Sequence, residues 1–167
     1  MLRRGLLLAF LVAATPAAAS EPSVKSLLQD YGLLGVWAAD CGRSMSPTNP
    51  HARYSMSPSG DGLLFSRAGD ARSDSIYVIY GAQRMADGKL LLHEQREEDG
   101  AMFDVVLEKE QDKLQVWSTQ SHEQQSTLIK DPVLMASGKR EAPLARCDGM
   151  PSDLGRNAQQ RITPASH

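Results

Sequence analysis

The chain has 167 residues, of which 18 are Lys or Arg and 20 are Asp or Glu, for a formal net charge of −2. A balance this near to neutral, with no basic stripe, excludes broad electrostatic attraction to nucleic acid or anionic lipid. Aromatic residues make up 5% of the chain, so a core must rest on Leu, Val, Ile and Met, and the length suits one domain.

Residues 1–19 read as a cleavable signal peptide. Arg3 and Arg4 form a positive start, Gly5 to Ala14 is an apolar run, and Thr15 to Ser20 supplies small residues around a cleavage point after Ala19. The run is shorter than the roughly 20 residues a membrane span takes, so no membrane anchor is expected after cleavage. The expected location is the periplasm or the medium. Loss of Arg3 and Arg4 would leave 16 basic against 20 acidic residues, a net −4.

Ser23 to Leu34 is predicted as a short helix, with Ser23 as cap and Val24, Leu27, Leu28 and Tyr31 at helical spacing. Gly32 and Gly35 then stop it. Strands are predicted at 36–41, 53–57, 63–67, 75–80, 89–96, 102–108 and 114–119. Asp87-Gly88 and Asp99-Gly100 mark hairpins, because both residue types tolerate the positive φ of a tight turn. No helical pattern separates the strands, which excludes parallel βαβ units and leaves an antiparallel meander. Short strands at 126–130 and 133–136 and a return segment at 142–147 complete residues 20–147 as one domain. Residues 148–167, rich in Pro, Ser, Asn and Gln, are expected to be a disordered tail.

Alternation assigns faces. Phe103, Val105 and Leu107 oppose Asp104 and Glu108, while Leu114 and Val116 oppose Lys113 and Gln115. Leu90 and Leu92 share a face with Glu94, so the alternation of that strand fails in its second half. The two cysteines, Cys41 and Cys147, most simply form one disulfide in an oxidising compartment, which would bring the first strand and the chain's return together. A thiol or metal pair is the alternative, without a C-x-x-C or a nearby histidine to favour it.

No nucleophile–base set, H-E-x-x-H or phosphate-binding loop is present, so no enzyme, cofactor or metal is expected. His93-Glu94 is the most site-like pair, but strand neighbours face opposite ways and cannot share a metal or proton. Glu97, Glu98 and Asp99 read as a solubilising hairpin tip. The methionines are dispersed and read as gap-fillers of an aromatic-poor core.

Gly35-Val36-Trp37, after a short helical turn and at the head of a β-meander, resembles the G-x-W that opens the first strand of lipocalins and related calycin barrels. The resemblance implies a mainly β fold, an antiparallel meander closed into a lipocalin-like barrel with a short N-terminal helix and one disulfide. It places Trp37 across the closed end, with Arg146 as the candidate for the arginine that packs on it. Gly35, Trp37, Cys41 and Asn49-Pro50 are also similar to a pattern in exported alphaproteobacterial proteins, which carries no activity with it.

Such a barrel holds either a plug of side chains or one small ligand. The expected interior residues are Trp37, Phe65, Val78, Phe103, Val105 and Val116, and the expected function is binding of a small apolar molecule. The alternative is a periplasmic inhibitor or interaction protein that inserts Ser20 to Lys25 into a secreted protease.

Overall fold

The computed structural model describes residues 22–70 and 74–147. The signal peptide expected at 1–19 and the tail expected at 148–167 lie outside them.

Helix α1 spans Val24–Asp30, and the Ser23 hydroxyl accepts the Ser26 N–H at 3.2 Å. This satisfies one of the amide donors that a helix start leaves open. Seven residues cannot hold a helix in water, so its stability comes from burying Leu27 and Leu28. Ten strands follow: β1 Gly35–Ala38, β2 His51–Met56, β3 Gly62–Arg67, β4 Ser75–Arg84, β5 Leu90–Arg96, β6 Met102–Glu110, β7 Lys113–Ser121, β8 Ser126–Lys130, β9 Val133–Leu134 and β10 Leu144–Arg146.

Each strand from β1 to β8 pairs antiparallel with the next. Strand β10 lies between the two ends of the meander. It pairs with β1 through Trp37↔Arg146 and with the first part of β7 through Leu144↔Leu114. Strands β1–β7 and β10 therefore form a closed antiparallel barrel of eight strands, as expected and compatible with a lipocalin-like fold. The β8–β9 hairpin continues from the second half of β7, where Ser118 pairs with Lys130. Closure leaves the eight barrel strands without an unpaired edge.

Cys41 and Cys147 form the expected disulfide, with Cα atoms 5.3 Å apart. Beside it the Cys147 N–H donates to the Val36 carbonyl at 2.8 Å. Strand β1 ends at Ala38, short of the predicted Cys41. There the chain leaves the sheet because the Asn49 side chain accepts the Asp40 N–H and the Asp40 carboxylate accepts the Gly42 N–H.

One end of the barrel is packed solid. Leu28, Leu33, Trp37, Ile79, Leu90, Leu92 and Leu107 are fully buried in one cluster, each worth about 1.5–3 kcal/mol of apolar burial. Helix α1 caps this end, and the Tyr31 hydroxyl donates to the Leu107 carbonyl at 2.9 Å. The helix can sit so close because β3 begins with Gly62. A Cβ there would lie 2.7 Å from Leu28 Cδ1 and 2.9 Å from Ile79 Cβ.

Two of the expected interior residues are not inside. Phe65 and Val78 pack with Leu63 and Ile76 in a separate cluster, on the opposite strand face from Leu64 and Tyr77. The reason is visible in the sequence. Gly62 to Phe65 and Ile76 to Ile79 are apolar on both faces, so alternation there does not say which face is in.

Candidate functional site

The floor of the barrel is set by Trp37. Its indole N–H donates to the Leu33 carbonyl at 2.7 Å. The Arg146 guanidinium carbon stands 5.8 Å from the ring centre, and Nη1 donates to the Gly32 carbonyl at 3.4 Å. Arg146 thus packs against the Trp37 ring. Gly35 has φ +134°, in the region that favours glycine, and a Cβ there would meet the same guanidinium at 3.6 Å. The G, the W and the arginine are one packing unit.

Beyond this floor the barrel is not filled. A cavity of about 610 Å³ occupies its other half and opens to solvent, a size ordinary for a small-molecule site. Its apolar wall includes Tyr54, Leu64, Phe103, Val105 and Val116. Of the residues expected to face the interior, Phe103, Val105 and Val116 line this cavity, and Trp37 is part of the packed floor. Tyr77 meets Phe103 edge to face, with ring centres 5.9 Å apart.

Two polar side chains stand in the wall: Glu94, which the sequence sets aside with His93, and His51, which it does not single out. Glu94 on β5 is 2% exposed, and its Oε1 has no hydrogen-bond partner. Burial pushes its carboxyl up to about 8. Burial, and then the nearby Glu94 charge, also raise the Tyr54 hydroxyl well above its ordinary range. The signal for Glu94 was its place on the inward face with Leu90 and Leu92, where it read as failed alternation.

The second is His51 at the start of β2, 3% exposed, with Nδ1 unpartnered. Asn49 fixes its tautomer. The Asn49 Oδ1 accepts the Asp40 N–H at 3.0 Å, which turns the amide nitrogen toward the Asp40 carbonyl at 3.0 Å and His51 Nε2 at 3.3 Å. With Nε2 accepting, Nδ1 carries the proton. Asn49 is therefore a structural pin: buried, it holds the 44–50 loop at the cavity mouth, where Pro47, Thr48 and Pro50 form part of the rim.

On the outside of the wall, His93 Nδ1 lies 2.6 Å from Asp104 Oδ1, and His122 Nε2 lies 3.0 Å from Asp104 Oδ2. Burial works against ionisation of Asp104, but the two imidazole bonds outweigh it and leave the carboxyl below its usual range. The acidic hairpin tip is a braced turn. Arg96 grips Asp99 with two bonds of 2.9 and 2.7 Å, and Glu98 accepts the Ile76 N–H. The methionines divide: Met56 packs on the core, whereas Met85 and Met135 are exposed, which corrects the gap-filling expectation for those two. Among the described residues no group of three or more His, Cys, Asp or Glu is arranged to hold a metal ion, and no helix is long and apolar enough to cross a membrane.

Comparison with known proteins finds no matching family model, no matching curated protein and no matching solved structure.

Proposed function

We propose that the protein is an exported, lipocalin-like carrier that holds one small, largely apolar molecule in the open half of its barrel without transforming it. The observation that supports this reading is the contrast between the two ends. The helix-capped end is filled by Leu28, Trp37, Ile79 and Leu107, whereas the other retains about 610 Å³ behind an apolar wall. A barrel built only as a scaffold gains dispersion and burial by filling that space. The packing of Arg146 on Trp37 beneath the Leu33 carbonyl supports the lipocalin part of the proposal.

The inhibitor reading receives less support. Of the segment Ser20 to Lys25 that would enter a protease, Val24 and Lys25 already belong to α1, whose Leu27 and Leu28 are anchored in the barrel core.

Native mass spectrometry of the protein isolated from its own cells tests the proposal. A carrier arrives as a chain beginning near Ser20 with a small-molecule mass increment at one per chain. A chain that begins at Met1 contradicts the export part. A bare chain that also fails to take up an added apolar probe contradicts the carrier part.

A further inference from the structure

The cavity contains a feature that a purely apolar occupant does not explain. Taking a carboxyl group out of water without a hydrogen-bond partner is costly, and proteins ordinarily pair it or place it at the surface. Glu94 is 2% exposed, it lines the cavity, and its Oε1 has no partner. It belongs to no ion pair among the described residues. Replacement by Leu, Val or Thr at this position of β5 would continue the inward face of Leu90 and Leu92.

The groups around it do not supply the missing partner. From β2, Tyr54 and His51 face the same space, from β4 Tyr77, and from β5 itself Arg96. The segment at the mouth adds Lys139, Arg140 and Glu141, whereas β3, β6 and β7 contribute no titratable side chain. Arg96 is the nearest cation along the strand on the inward face, and its guanidinium is committed to Asp99 in a two-bond pair. His51 Nδ1–H is itself an unpartnered donor in the cavity wall, and it remains unpartnered with Glu94 in place.

We propose that the cavity selects an apolar amine, a molecule whose hydrocarbon part lies against Phe103, Val105 and Val116 and whose protonated nitrogen pairs with the Glu94 carboxylate. This rests on the carrier reading and names the class of its ligand. An ammonium group supplies several N–H donors and the counter-charge together, which makes a charge-assisted bond to a buried carboxylate. Because burial holds the empty site's carboxyl up at about 8, binding the cation releases the Glu94 proton to solvent. Affinity for an amine therefore rises with pH up to that value and levels off above it. A neutral alcohol of the same length binds without this dependence. A carboxylate of the same length meets Glu94 as a like charge once Glu94 ionises, so its affinity falls as pH rises.

The test is displacement of a fluorescent apolar probe from the full mature chain by octylamine, octanol and octanoate, between about pH 6 and pH 8. Octylamine is expected to bind about ten- to a hundredfold more tightly than octanol near pH 8. Its advantage should shrink by about tenfold per pH unit below that. Glu94→Gln, which keeps the shape and removes the charge, should bring octylamine to the level of octanol measured in the same variant. A pH dependence that persists in that variant belongs to another group facing the cavity, such as Glu141 at its mouth, and counts against Glu94. The wild-type comparison stands even if the variant does not fold. Octylamine binding no tighter than octanol near pH 8, or octanoate binding tightest, overturns this inference and leaves the carrier reading in place. If neither probe nor octanol binds, both fall together.

Discussion

His93 and Glu94 are neighbours in sequence and lie on opposite sides of the barrel wall. His93 bonds Asp104 at 2.6 Å on the outside, while Glu94, 2% exposed, faces the cavity. The β5 pleat alone produces the separation, and it puts the two side chains under different physical rules. The outer one is paired and half-exposed, whereas the inner one is buried and its Oε1 lacks a partner.

A pH dependence of stability follows. The Glu94 carboxyl titrates at about 8 in the folded chain and near its ordinary 4.5 when unfolded. Between these values the folded state holds a proton that the unfolded state has released, so stability falls as pH rises. The limiting slope is about 1.4 kcal/mol per pH unit. Below about 4.5 this contribution is fully present, and above about 8 it is gone. Urea midpoints of the wild type should fall across that window, and those of Glu94→Gln should be flatter. Equal slopes in the two proteins would contradict a carboxyl whose titration is shifted by burial.

Trp37→Ala should cost about 3–5 kcal/mol, the usual range for a large aromatic removed from a core. Trp37 is fully buried and its N–H satisfies the Leu33 carbonyl. Urea unfolding followed by circular dichroism measures it, and a loss below about 1 kcal/mol would mean that the floor does not depend on the ring.

Reduction of the Cys41–Cys147 bridge should lower stability by up to about 4–5 kcal/mol, the loop-entropy figure for a separation of 106 residues. The check is a urea midpoint with and without reductant, beside the Cys41→Ser, Cys147→Ser double variant. No shift would mean that β10 holds its place between β1 and β7 without the bridge.

Gly62→Ala should destabilise by about 1–3 kcal/mol through overpacking, because its Cβ would fall on Leu28 Cδ1 and on Ile79 Cβ. Ala at Gly60, where a Cβ meets nothing within 4 Å but φ is +98°, separates backbone strain from crowding. Proteolysis at α1 should increase in Gly62→Ala alone if the helix is what moves.

Much of the barrel was legible because its hairpins are punctuated by Asp-Gly turns and because β6 and the start of β7 alternate cleanly. From these, Phe103, Val105 and Val116 were assigned to the inward face, and all three line the cavity. Phe65 and Val78 were not, since β3 and β4 are apolar on both faces and carry no polar side to mark the exterior. Glu94 was legible as an irregularity in an inward face, but one strand's pattern does not reveal that the opposing walls leave its Oε1 without a partner. The closing role of β10 is likewise absent from local pattern: three residues pair with strands far away in sequence, and only the cysteines hinted at the meeting.

The central claim is that the open half of the barrel is a binding cavity. It is tested most directly by titrating a fluorescent apolar probe into the wild type and Val116→Trp, with thermal melts of both. Val116 is part of the cavity wall, so an indole there occupies space that is empty in the wild type. The account predicts saturable binding at one probe per chain in the wild type, none in Val116→Trp, and closely similar melting temperatures. A wild type that binds no probe, together with a variant destabilised by the roughly 1–3 kcal/mol typical of an overpacked core, would contradict it.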